Sequence, residues 1–306
     1  MIGRRQFLGL LSAPLALRAA EASILVHEHI LVDFIGADGV SRSRYDASQV
    51  VAAAKPRLDE IKRLGCRRLQ ECTPNYLGRD PKLLRRLEHE TGLEIWTNTG
   101  LYGAGKDFQF LPAYARAERP EQLAMRWIRE AKQGVEGVKP RFIKIGVSGQ
   151  SPLHELDLKL VAAAAITSIE TGLTIASHTP NGAAALAQLE VLSGRNVDLS
   201  KFVWVHAQNE KDHRIHEQAA RAGAWVEFDG VGTKTAQWHQ ECLTFMSEKG
   251  LLGKTLLSQD SGWYHVGEEG GGDYSPYSYI YMHFLPGMPD KWVRMLMWEN
   301  PRNAFG

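Results

Sequence analysis

Eight short β-type runs alternate with eight runs of helical spacing along 306 residues, and this alternation predicts an α/β fold, a (β/α)8 TIM barrel in a single domain. Two further observations point the same way. The Gly-x-Gly-x-x-Gly turn that a doubly wound open sheet carries after its first strand is missing here. The polar residues with the most chemistry fall at the C-terminal ends of the predicted strands, where a barrel keeps its reactive groups. No repeat, low-complexity block or linker marks a second domain.

Residues 1–22 read differently from the rest. Arg4-Arg5 precedes an apolar segment from Phe7 to Leu17 and a small-x-small site at Ala20-Glu21-Ala22, the pattern of a bacterial twin-arginine export signal. That reading gives the mature barrel residues 23–306 and a periplasmic or otherwise exported location. Losing the leader takes 36 basic and 35 acidic residues to 33 and 34. A chain so close to neutral has no electrostatic reason to seek nucleic acid or anionic lipid. No apolar run in the sequence approaches the ~20 residues of a membrane span. Cys66 and Cys72 at the two ends of one strand would be ~20 Å apart, so no disulfide is expected between them.

The first strand covers residues 24–31 and holds His27 and His29 at i and i+2. Strict alternation puts both imidazoles on one face and Val26 and Glu28 on the other. A helix follows at 48–64, with Val50, Val51, Leu58, Ile61 and Leu64 as its apolar stripe and Gly65 ending it. The second strand is 67–72. Pro81 opens a helix through 90 that Thr91-Gly92 closes, and the third strand, 94–98, leads into Gly100-Leu101-Tyr102-Gly103. Helix 121–133, strand 141–147, helix 155–170 and strand 173–177 come next. Then follow helix 182–192, strand 202–206, helix 215–222, strand 224–229, helix 237–249, strand 255–259 and a last helix at 291–298. The connection 261–289, rich in glycine and aromatic residues, is long enough to be a functional lid or a disordered segment beside the barrel mouth.

Six polar groups crown these strands: His27 and His29 on the first, Lys144 on the fourth, His178 after the fifth, His206 closing the sixth and Asp260 closing the eighth. Any one of them alone would be read as a hydrogen-bonded core residue or a turn cap. Their common placement on one rim, with none required for packing, makes them a candidate metal-binding set. His89, His213, His216 and His239 fall in polar helical stretches and are expected to be solvated. His154 and His265 lie in loops at the same rim, where either could touch substrate.

The residues also resemble a known family. From about Ile24 to Phe305 the chain is similar to the phosphotriesterase family of the amidohydrolase superfamily. The shared motifs are Val26-His27-Glu28-His29-Ile30, Gly78-Arg79-Asp80, Thr99-Gly100-Leu101-Tyr102, Ile143-Lys144-Ile145, Ser177-His178, Val205-His206 and Ser258-Gln259-Asp260. Tyr279-Ile280-Tyr281-Met282-His283-Phe284 and Glu299-Asn300-Pro301 look most like the family's lactonase branch. The resemblance implies two divalent metal ions. His27, His29 and Asp260 would hold the more buried ion, and His178 and His206 the more exposed one. Lys144, carboxylated by carbon dioxide, would bridge them. A lysine amine buried among cations is pushed toward its neutral, nucleophilic form, which gives that modification a chemical rationale. Zinc is the first choice for this imidazole–carboxylate set, which cobalt, manganese and iron also suit. Two ions ~3.5–4 Å apart acidify a bridging water to hydroxide and polarise the substrate, and Asp260 takes and returns the proton. Tyr102 matches a tyrosine that reaches the metal centre in lactonase-like relatives. Trp263 and Tyr264 are placed by position in the pocket lining, and His283 is read as a packing residue. Family members are often dimers, which implies a homodimer here.

The chain departs from the organophosphate-hydrolysing pattern at two places. Gly230 stands where those relatives usually have histidine and acyl-homoserine lactonases arginine. Ala207-Gln208-Asn209 replaces acidic residues that relay a proton. Asp229 is retained and is expected to bind a substrate hydroxyl or the leaving group. The first expectation is therefore an exported, metal-dependent hydrolase that opens a lactone or a related ester of a small molecule. Amide or phosphotriester hydrolysis by the same centre, and a binding protein that keeps the metals without turnover, are the alternatives.

Overall fold

The computed structural model describes residues 22–306, so the proposed export signal lies almost wholly outside the described residues. The barrel strands are β1 Ser23–Glu28, β2 Cys66–Glu71, β3 Glu94–Trp96 resuming at Asn98–Thr99, β4 Phe142–Gly146, β5 Ile175–His178, β6 Phe202–Val205, β7 Trp225–Phe228 and β8 Thr255–Leu257. Each pairs in parallel with the next. Between β8 and β1 the ring closes through Asp260 N–H to the His27 carbonyl at 3.1 Å and His27 N–H to Ser258 Oγ at 3.0 Å.

Among the described residues, the helices that cover the outside are α1 Ala47–Arg63, α2 Pro81–Thr91, α3 Pro120–Gln133, α4 Glu155–Thr171, α5 Gly182–Gly194, α6 His213–Arg221 and α7 Ala236–Glu248. Their starts are written locally. Asp46 accepts the Ser48 amide at the head of α1. Asp80 accepts the amides of Lys82 and Leu83 ahead of α2, whose first residue is Pro81. Among the described residues no helix is long and apolar enough to cross a membrane.

Two apolar layers result. Outward strand residues such as Leu25, Leu69, Ile143 and Phe202 pack under the helices. Inward residues Ile24, Val26, Phe142, Ala176, Val203, Trp225 and Leu256 fill the floor of the barrel. The C-terminal helical run, 290–305, plugs that floor with Trp298, Ala304 and Phe305. Asn300 anchors the run by donating to the carbonyls of Leu252 and Thr255. It extends beyond the expected end at 298 because Pro301 sits in the first turn of the last segment, Asn300–Phe305, where a missing N–H costs little.

Two expectations are corrected. Strict alternation in β1 fails: Leu25 pairs with Leu69 and Glu28 with Glu71, so β1 carries one extra residue between those pairs. This β-bulge leaves Val26 in the interior floor and turns His27 inward as well, instead of setting them on opposite faces. The connection 261–289 is neither disordered nor simply a lid. Tyr264–His265 pairs in parallel with Leu31–Val32, and Ile280–Phe284 forms a π-helical turn over β1, where the Tyr281 hydroxyl meets Ser23 Oγ at 2.9 Å. All three cysteines are buried and free.

Candidate metal centre

The bulge sets His27 at the centre of the mouth, and His29 follows once β1 has ended. Lys144, two per cent exposed on β4, brings its Nζ 3.4 Å from His27 Nε2. His178 is the last residue of β5. His206 follows β6 in a left-handed conformation, φ +66°, and Asp260 follows β8 at φ +54°. Such backbone in non-glycine residues is strained and concentrates at functional sites. Ring centroids of His27 lie 5.4 Å from His29 and 5.1 Å from His206, and those of His178 and His206 are 4.4 Å apart. Asp260 Oδ1 is 3.1 Å from His29 Nε2 and 3.7 Å from His27 Nε2. The fold thus brings together all six groups singled out in the sequence.

Two glycines permit this crowding. Gly100 at φ +122° and Gly262 at φ +102° adopt backbone that favours glycine, and a Cβ at either would collide with a carbonyl oxygen, that of Lys144 and that of His29 respectively.

A second layer of polar groups aims the rings. His29 Nδ1 donates to Thr73 Oγ1 at 2.8 Å, and Thr73 in turn donates to Glu71. His206 Nδ1 donates to Asp229 Oδ1 at 2.6 Å, and His27 Nδ1 lies 2.7 Å from Glu227 Oε1. With these Nδ1 atoms engaged, the Nε2 lone pairs of His27 and His29 face inward. Asp260 Oδ1 is buried without a hydrogen-bond donor. Two imidazole lone pairs and a carboxylate oxygen, within 4.8 Å of one another, repel unless a cation lies among them, so the donor set fits a divalent ion. The ligand atoms of His27, His206 and Asp229 also cluster, but the Asp229 oxygens already accept from the His206 ring, the His206 amide and Gln208.

The electrostatics agree. Burial pushes the His27 imidazole down to about 3, helped by the charge of Lys144. Burial lowers His29 as well, and burial with the adjacent His206 ring takes His178 well below its ordinary value. All three stay neutral, the form that binds metal. In the buried pair beneath, burial and the charge of Asp229 drive Glu227 up. Asp229 goes down despite its burial, because His206 faces it.

Around the mouth, the Tyr102 hydroxyl lies 3.1 Å from His178 Nδ1. Trp263, at φ +77°, donates its indole N–H to the Asp260 carbonyl at 2.7 Å and lays its ring 4.0 Å from that of His29. Phe34 and His265 stack on the same indole at 5.9 and 6.2 Å. Other expectations are corrected. Asp229 is fully buried beneath His206 and so orients a ring instead of meeting substrate. Tyr264 turns away from the mouth, buried against Gly271. His154 caps α4 by accepting the Leu156 amide and stacks on Phe108. His216 and His239, expected in solvent, are fully buried. Each ring reaches a backbone carbonyl through Nε2, His216 that of Ala207 at 2.8 Å and His239 that of Asp229 at 2.6 Å. Sequence reading missed Glu71, Thr73, Glu227 and Phe34. An acidic residue near the C-terminal end of a buried strand, as at Glu71 and Glu227, was the available signal.

A parallel barrel with convergent imidazoles, a lysine and a carboxylate at its C-terminal mouth is a scaffold of the kind that carries an active site, with donor groups that could hold a metal ion. The model of the phosphotriesterase family matches residues 16–305, and the chain belongs to that family. It is 27% identical over 294 residues to the phosphotriesterase homology protein of Escherichia coli, covering 92% of this chain and 97% of that one. A crystal structure of a phosphotriesterase homology protein from E. coli, with phosphate in its active site, superposes with a TM-score of 0.79 at 25% identity, over 93% of this chain and 99% of that one. The aryldialkylphosphatase of Saccharolobus solfataricus is 24% identical over 242 residues, covering 77% of this chain and 76% of that protein. The N-acetyltaurine hydrolase of Xenopus tropicalis is 25% identical over 280 residues, covering 83% and 77%. Membership makes the chain a phosphotriesterase-family hydrolase and implies divalent metal ions, for which the His and Asp clusters above are suited.

Proposed function

We propose that the protein is a hydrolase with a two-metal centre that opens a lactone or cleaves a related ester of a small molecule. The observation that carries it is the convergence of His27, His29, Lys144, His178, His206 and Asp260 around inward-facing lone pairs. His27, His29 and Asp260 would hold one divalent ion, zinc by preference, and His178 and His206 the other. Lys144, once its neutral amine has added to carbon dioxide and lost a proton, would present a carbamate to both. The ions, when bound, supply Lewis acidity to the scissile carbonyl and to the attacking water. Asp260, through the carboxylate oxygen that does not hold the ion, would accept the proton of that water and pass it to the leaving oxygen. The Tyr102 hydroxyl, beside His178, would donate a hydrogen bond to charge developing on the carbonyl oxygen. Trp263 and Phe34 shield one side of the centre from water.

Gly230 offers neither the imidazole nor the guanidinium expected at that position, and Asp229 is occupied with His206, so fast phosphotriester turnover is not favoured. Amide cleavage is the second reading, favoured by the likeness to N-acetyltaurine hydrolase. Metal-loaded protein tested against lactones, aryl esters, N-acyl amides and phosphotriesters separates them. The expected result is the highest kcat/KM on a lactone or ester. Highest kcat/KM on an amide replaces the first reading by the second, and stoichiometric metal with no turnover of any class sinks both.

A further inference from the structure

We propose that Glu28 is a positioning residue for Asp260, acting across the seam where the barrel closes. Glu28 lies in sequence between His27 and His29, yet its side chain serves a strand 230 residues away: its Oε1 accepts from Ser258 Oγ at 2.8 Å. The same oxygen accepts the Gln259 amide at 3.1 Å, and Oε2 accepts the Ser261 amide at 2.7 Å. One fully buried carboxylate therefore grips the chain on both sides of Asp260. Ser258 Oγ also accepts the His27 amide at 3.0 Å, and the Asp260 amide donates to the His27 carbonyl, so the grip fixes Asp260 relative to His27 itself.

The grip has a physical task. Asp260 sits in the left-handed region, a conformation that is strained for a non-glycine residue and persists only where neighbours over-determine it. Two flanking amides and one hydroxyl turned toward a single side chain tie the turn down by three hydrogen bonds, which hold Asp260 in that conformation. Without the carboxylate, the turn can relax toward ordinary backbone, carrying Oδ1 away from His27 and His29. Glutamine at 28 keeps the volume but presents an N–H group to one of the donors.

The inference rests on reading Asp260 as a metal ligand, and its test separates the two. Cobalt affinity and the visible spectrum of the cobalt-loaded full chain are measured for wild type, Glu28→Gln, Ser258→Ala, Asp260→Asn and the Glu28→Gln/Asp260→Asn double variant. Loss of an outer-shell partner typically weakens metal binding 10–100-fold, so Glu28→Gln is expected to lose roughly that much and to alter the cobalt spectrum, with Ser258→Ala losing less. In the Asp260→Asn background the same change is expected to cost far less, because the group being positioned is already impaired. Equal losses in both backgrounds, or an unchanged spectrum in Glu28→Gln, overturn the proposal. If Glu28→Gln does not fold, Ser258→Ala and its double with Asp260→Asn decide by the same rule. If wild type binds no cobalt, the metal reading fails. The positioning claim is then decided by amide exchange at Gln259 and Ser261 in metal-free protein, where faster exchange in the variant upholds it and unchanged exchange overturns it.

Discussion

The two ends of the barrel are made from the same strands and hold together in different ways. At the floor, Ile24, Val26, Phe142, Val203, Trp225 and Leu256 interdigitate and are sealed by Ala304 and Phe305. At the mouth, a few residues further along those strands, imidazoles and carboxylates crowd together, three of their neighbours or members take left-handed backbone, and two buried carboxylate oxygens, one of Glu71 and one of Asp260, have no donor. The floor gains its stability from packing. The mouth is held in a costly arrangement that the floor makes possible, the usual division between scaffold and site in such barrels.

Substitutions that touch only one end test this division. The largest effect is expected from Asp260→Asn, which removes the proton acceptor and a ligand charge. kcat/KM should fall by about 10²–10⁴-fold, while the melting temperature of the metal-free protein holds or rises, since a buried charge is gone. Unchanged turnover would show that the mouth does its chemistry elsewhere. Ile24→Ala at the floor should do the reverse. It should cost about 2–5 kcal/mol in a denaturant titration, with kcat/KM of the folded protein unchanged. A loss of activity out of proportion to folded protein would mean the ends are not separable.

A smaller, pH-dependent effect belongs to the mouth half alone. Burial lowers His27 to about 3 and His216 to about 4 from an ordinary 6.5, so between those values the unfolded chain binds more protons. Stability of metal-free protein is then lost as pH falls from 6.5 toward 4. Burial raises Glu71 from an ordinary 4.5 to about 8, so there the folded chain binds more protons. Its contribution is fully present below 4.5 and is lost as pH rises through 8. Melting temperatures of chelator-treated protein should therefore trace a dome between pH 4 and 9. Glu71→Gln should flatten its alkaline limb, and Ile24→Ala should lower the dome without moving it. A profile independent of pH would contradict the assignment of these buried groups.

How much of this the sequence disclosed depends on how local each feature is. The start of α2 was legible because Pro81 is suited to the first position of a helix, and the cap that completes it, Asp80, acts on amides only two or three residues away. The six site residues were legible because a barrel delivers every strand end to one rim. The β1 bulge was not, since it exists only relative to the register of β2. Glu28, Glu71, Glu227 and Asp229 were unread or misread for a related reason: each acts on a partner from another strand, as Glu227 does on His27, 200 residues away. His216 and His239 look polar and solvated in a linear reading, but backbone carbonyls left open at the ends of strands draw them inside.

Gly100 and Gly262 limit how this protein could be altered by random variation. Both press against the carbonyls of site residues, so almost any replacement there would push Lys144 or His29 out of line before any new specificity could be tried. A library meant to widen the range of molecules accepted gains nothing from diversity at those two codons. It would do better to vary Phe34 and His265 at the rim, whose side chains are partly open to solvent.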